Sequence, residues 1–142
     1  MRRRILIVAA AVVLVVALVV ATAFAVYGPD TKRIQRVAGG GDRVVRVELK
    51  DIDVDPGVLV VDRGTRLVLD VVNVGGEDHD LAVDGGRART RVLAAGESER
   101  LDLGRVTGAV DLVCTLRLHE TLGMTLDVRT ATRDVSPAAP RP

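Results

Sequence analysis

Ala109-Val-Asp-Leu-Val-Cys114-Thr-Leu-Arg-Leu-His119-Glu-Thr-Leu-Gly-Met124-Thr-Leu-Asp-Val128 is the stretch on which the fold of this chain turns. Both of its ends alternate with a period of two. Val110, Leu112 and Cys114 fall on one face before the loop, and Met124, Leu126 and Val128 on one face after it. Such alternation marks half-buried β-strands, because successive side chains point to opposite sides of the pleat. The stretch predicts two strands joined by a loop, with Cys114 and Met124 at the inward strand ends.

The same period runs through the residues upstream. Val45, Val47 and Leu49 face one way, and Arg46, Glu48 and Lys50 the other. Asp55-Pro56-Gly57 is a turn and Val58 to Val61 a short apolar strand. Arg66 to Val74 carries the strongest signal, with Leu67, Leu69, Val71 and Asn73 aligned before Gly75-Gly76. A weak strand is expected over Arg91 to Ala94, and a firmer one over Glu97 to Leu103. With turn signals at regular spacing and no amphipathic helix, residues 43–130 read as all-β, an antiparallel β-sandwich of seven to eight strands. Val, Leu and Ala must fill its core, since the chain has one Tyr, one Phe and no Trp.

The N-terminal part has a different character. Residues 1–4 form a basic N-terminus containing Arg2-Arg3-Arg4. Residues 5–27 follow without a charge, long enough as a helix to span the roughly 30 Å hydrocarbon core of a bilayer. Arginines before an apolar span favour the cytoplasmic side, so a single-pass signal anchor with its domain outside the cytoplasm is expected. Ala23-Phe24-Ala25 offers a cleavage site, and cleavage would release the domain as a secreted protein. Residues 28–42, ending in Gly39-Gly40-Gly41, read as a flexible linker, with the packing of part of it as a first strand as the alternative. Residues 131–142 hold three of the five prolines and read as a disordered tail.

Charge and composition exclude several roles. Without the three N-terminal arginines, 17 basic residues stand against 19 acidic ones, and no basic cluster remains. The electrostatic and stacking marks of nucleic-acid binding are missing. One cysteine forms no internal disulfide, so packing alone must hold the exported domain together.

The scarce residue types fall together. Cys114 is the sole cysteine, His79 and His119 are the sole histidines, and Met124 is the sole methionine besides Met1. Singly, each has a plainer role: Cys114 a small buried hydrophobe, Met124 core, His119 a solvated loop residue, His79 a polar turn residue. As a set, a thiolate, two imidazoles and a thioether are the ligands of one type 1 (blue) copper site. A rigid sandwich would hold them with little rearrangement between Cu(I) and Cu(II), since sulfur suits the reduced ion and imidazole suits both.

Gly64-Thr65-Arg66-Leu67 running into Val72-Asn73, then His79-Asp80-Leu81, then Cys114-x4-His119-x4-Met124, resembles the cupredoxin (blue copper) family. It is also similar to the blue-copper domains of copper nitrite reductases and multicopper oxidases. The resemblance implies a Greek-key sandwich, one-electron transfer, and His79, Cys114, His119 and Met124 as ligands. Two positions depart from the family pattern. Arg117-Leu118 stands where a Pro-Gly or similar turn is common, and Asp80 where Asn or Ser is common. Asp80 can only accept, and the backbone amide near Thr115 is a partner within its reach.

Enzymatic readings lack parts. A catalytic copper would need further histidines, and nucleophilic catalysis would need a separately placed base and oxyanion donors. A methionine ligand also argues against a zinc hydrolase. The expectation is a membrane-anchored electron carrier that is not an enzyme, with donor and acceptor oxidoreductases meeting it at Leu116, Leu118 and Leu122. Two other readings stay open: a copper-binding or copper-delivery domain without a carrier role, and a metal-free Ig-like interaction module.

Overall fold

The computed structural model describes residues 13–18 and 32–131. The chain divides into two compact units, Met1–Thr31 and Lys32–Pro142. In the first, residues 13–18 are helical with exposed apolar side chains. Among the described residues no helix is long and apolar enough to cross a membrane. The rest of the expected anchor, residues 5–12 and 19–27, lies outside the described residues, as do the basic N-terminus and Ala23-Phe24-Ala25.

The second unit is a β-sandwich with nine strands among its described residues. They are β1 (Ile34–Val37), β2 (Asp42–Lys50), β3 (Asp53–Asp55), β4 (Val58–Asp62), β5 (Thr65–Asn73), β6 (Ala82–Val83), β7 (Ser98–Val106), β8 (Val110–Val113) and β9 (Thr125–Ala131). One sheet has the order β1-β4-β9-β8-β6 and the other β3-β2-β5-β7. The alternation decides which face each strand buries. Thr65, Leu67, Leu69, Val71 and Asn73 of β5 are buried, and Val45, Val47 and Leu49 of β2 lie beside the last three in register. Leu112 of β8 opposes Leu126 of β9, closing the core from the other sheet. Each fully buried Leu or Val contributes about 1.5–3 kcal/mol relative to exposure, and Cys114 and Met124 belong to the same cluster.

Five expectations need correction. The sheets are mixed rather than antiparallel, because β1–β4, β2–β5 and β4–β9 pair in parallel. Strands adjacent in sequence often lie in opposite sheets, so a returning strand can run alongside one of the same direction. Nine strands replace seven or eight.

Residues 28–42 are not wholly a linker, since Ile34–Val37 is a strand paired with Val58–Val61, and Asp42 opens β2. Lys32 donates to the Thr125 carbonyl, and its stem crosses Gly57 so closely that any Cβ there would clash. The triple glycine makes the turn into β2, with Gly39 and Gly41 at positive φ. The expected strand over Arg91 to Ala94 is reduced to one bridge, Leu93 to His79. Ala131, placed in the tail, is the last residue of β9, and residues 132–142 lie outside the described residues.

Candidate metal centre

β5 delivers the first histidine. Its last residue, Asn73, is buried and donates through Nδ2 to the carbonyls of Glu77 (2.7 Å) and Leu93 (2.8 Å). Its Oδ1 accepts from the Gly75 amide, which bends the chain out of the strand. The His79 and Leu93 backbones then exchange a reciprocal pair of hydrogen bonds at 3.0 and 2.7 Å. His79 is thereby fixed beneath the surface although only loop residues surround it in sequence.

The β8–β9 loop delivers the rest. The Cys114 amide donates to the Met124 carbonyl at 3.1 Å, and the Met124 amide donates to the His119 carbonyl at 3.0 Å. The loop therefore closes on its own base, where Met124 is fully buried. Leu118 turns the chain into His119 with φ +71°, the only positive φ at a non-glycine among the described residues. That conformation costs about 1–2 kcal/mol for a residue with a Cβ. Leu118→Gly is accordingly expected to stabilise the metal-free protein by about 0.5–1 kcal/mol after glycine's extra chain entropy. A urea midpoint that fails to rise would contradict this.

The donor atoms meet. His79 Nδ1 and His119 Nδ1 are 3.2 Å apart, and Cys114 Sγ is 3.4 Å from His119 Nδ1. The three donors all lie within 4.8 Å of one another. His79 and Cys114 are fully buried, while the His119 side chain is 14% exposed, with Nε2 3.7 Å from the exposed Glu77 carboxylate. Burial, then the neighbouring His119, lowers the proton affinity of His79, which favours the neutral ring whose lone pair can bind a cation. Burial likewise raises the Cys114 thiol, so a metal must displace its proton. His79 Nε2 is buried without a partner among the described residues.

These residues fit a metal. Two of the donor pairs are 3.2–3.4 Å apart and all three donors lie within 4.8 Å, so they surround a space the size of one ion with bonds of about 2.0–2.3 Å. Two imidazoles and a buried thiol, with a buried methionine at the loop base, form the donor set of one type 1 copper ion rather than of a hard cation.

Comparison with solved structures agrees on the architecture. Auracyanin from the photosynthetic bacterium Roseiflexus castenholzii, reduced with dithionite, superposes with a TM-score of 0.55 at 16% identity, covering 66% of this chain and all (100%) of its own. Auracyanin A, a blue copper protein of Chloroflexus aurantiacus, gives 0.55 at 12% identity over 64% of this chain and 100% of that one. The domain has a cupredoxin-like fold. A further match is the metal-binding domain of the Streptococcus pneumoniae D39 Cu(I)-exporting P-type ATPase, solved with Cu(I). It gives a TM-score of 0.56 at 8% identity, over 72% of this chain and 99% of that one. No protein-family model and no curated protein matches the sequence.

His79, Cys114 and His119 converge in this cupredoxin-like domain as their spacing suggested, and Met124 adjoins them through the backbone of the same loop. Asp80 does bond the Thr115 amide, at 2.6 Å. Two neighbours went unread in the sequence. Glu77 offered no signal beyond its place two residues before His79. Arg89 offered none, because only the pairing of Ala82 with Arg89 brings it alongside the first histidine's segment.

Proposed function

We propose that this chain binds one copper ion through His79, Cys114, His119 and Met124 and carries single electrons between a donor and an acceptor oxidoreductase. The observation that carries this is the convergence of two Nδ1 atoms and one Sγ at a buried point, with one imidazole edge reaching the surface. A bound copper ion supplies a one-electron Cu(I)/Cu(II) couple. His79 and Cys114 hold their donors in place from rigid backbone and exclude water. His119 is the route outward, and Leu118 and Leu122, 63% and 55% exposed, with half-buried Leu116, form an apolar rim for transient docking. Both histidines of the chain lie in this one cluster, leaving none for a second, catalytic copper. The uncharged residues 5–27 after three arginines support a membrane anchor with the domain on the extracytoplasmic side.

The purified chain loaded with Cu(II) is expected to show intense visible absorption from thiolate-to-copper charge transfer and a reversible one-electron wave. Absence of the band would falsify the reading. Met124→Leu is expected to keep the band and raise the reduction potential by about 59 mV or more, the equivalent of a tenfold shift in the couple. A fall in potential, or loss of the band, would remove Met124 from the ligand set.

A second reading, that the domain holds or delivers Cu(I) without passing electrons, draws support from the likeness to the copper-exporting ATPase domain. It predicts tight Cu(I) binding with no reversible wave.

A further inference from the structure

Asp80 sits one residue after His79 and is fully buried. Its Oδ1 accepts from the Thr115 amide at 2.6 Å, and its Oδ2 from the Thr115 hydroxyl at 2.6 Å. Arg89 Nη2 donates to the same Oδ2 at 2.8 Å and to Thr115 Oγ1 at 3.2 Å. Carboxylate, hydroxyl and guanidinium therefore close a triangle beside Cys114, joining the segment of the first histidine to the cysteine's loop.

The backbone holds the triangle in register. Ala82 and Arg89 form an antiparallel bridge. The Thr90 amide donates to the Leu81 carbonyl, the Leu81 amide donates to Thr90 Oγ1, and Thr90 is itself buried. Asp80, Leu81 and Thr90 are buried, while Thr115 and Arg89 reach solvent, the Arg89 side chain being 55% exposed.

A neutral amide at position 80 could accept from the Thr115 backbone without any cation nearby. A carboxylate at that place brings a full negative charge to the side of a thiolate, and a buried carboxylate needs compensation. Arg89 supplies it through a donor that touches both partners. On the reading that the centre holds copper, we propose that Arg89 is a positioning residue: it neutralises Asp80 beside Cys114, tightens the Asp80–Thr115 link, and thereby sets the balance between the oxidised and reduced centre.

The sign follows from charge. The oxidised centre is one unit more positive than the reduced one, so an uncompensated carboxylate nearby favours oxidation, and an uncompensated guanidinium favours reduction. In the copper-loaded full chain, Arg89→Gln is expected to shift the oxidised-to-reduced ratio at fixed ambient potential about tenfold toward oxidised, a midpoint about 59 mV lower. Asp80→Asn shifts it the opposite way, and the double variant returns within about threefold of native. Arg89→Lys, which keeps the charge, stays near the native midpoint.

Metal-free protein gives a second readout, in which Arg89→Gln speeds hydrogen exchange at the Thr115 amide and Arg89→Lys restores part of the protection. The Arg89 side chain is 55% exposed, so its variants are expected to fold. A native chain without the charge-transfer band defeats the copper reading and this inference together. A native chain with the band, in which Arg89→Gln leaves both the midpoint and the Thr115 exchange rate unchanged, defeats the role of Arg89 alone. Shifts of the same sign for Arg89→Gln and Asp80→Asn defeat it too.

Discussion

Replacing Cys114 by serine is expected to abolish the visible absorption of the copper-loaded protein while leaving the fold standing. The band requires charge transfer from a thiolate, and no second thiol exists in the chain to replace it. Copper affinity should fall at least about 100-fold, since the loss of a partner that merely orients a ligand already costs 10–100-fold. Stability should fall far less. The serine hydroxyl would occupy a fully buried place among core side chains, an exchange that costs about 1–3 kcal/mol when the hydroxyl is poorly paired. Visible titration with Cu(II) and a urea melt of the metal-free protein separate the two effects. If Cys114 were only a small buried hydrophobe, native and variant chains would give the same featureless spectrum.

The site was more legible in the sequence than the way the strands pair. Alternation is local, so the inward sets Leu67-Leu69-Val71 and Met124-Leu126-Val128 could be read directly and are all buried. Pairing partners are not local, and nothing in β2 or β5 states that they run parallel with Val45 beside Leu69. β1 was hidden for a related reason. Ile34–Val37 is a half-exposed edge strand with polar neighbours, held by β4 and by the contacts of Lys32 and Arg33 with Thr125 and Asp55. Its composition is that of a linker, and only its partners make it a strand.

The ligand residues stood out because cysteine, histidine and methionine are scarce in this chain. Arg89 is one of many arginines, and its position beside Asp80 depends on a two-residue strand and an isolated bridge that carry no periodicity. Chemistry concentrated in rare residue types can be read from sequence. Compensation supplied by a common residue across a non-local contact cannot.

Asp80→Ala is expected to destabilise the metal-free protein by about 3 kcal/mol at neutral pH, far more than a surface carboxylate would. Truncation leaves the Thr115 amide and hydroxyl without their acceptor at a half-buried place and frees Arg89. Hydrogen bonds to a charged group contribute about 1.5–3 kcal/mol each, discounted here because Arg89 and Thr115 can recover water. The loss should depend on pH with a definite sign. Burial pushes the Asp80 carboxyl up, but hydrogen bonds from Thr115, from Cys114 and from Arg89 outweigh it and hold the group below its ordinary value. A carboxyl lower in the folded chain than in the unfolded one, where it titrates near about 3.9, contributes its full stability above that value. The contribution is lost as the pH falls through the folded value. Native and variant urea midpoints should therefore differ most at pH 7 and draw together only as the pH falls below about 4 and on through the folded value. Midpoints that coincide at pH 7 would show that the two ligand-bearing segments are held together by something other than Asp80.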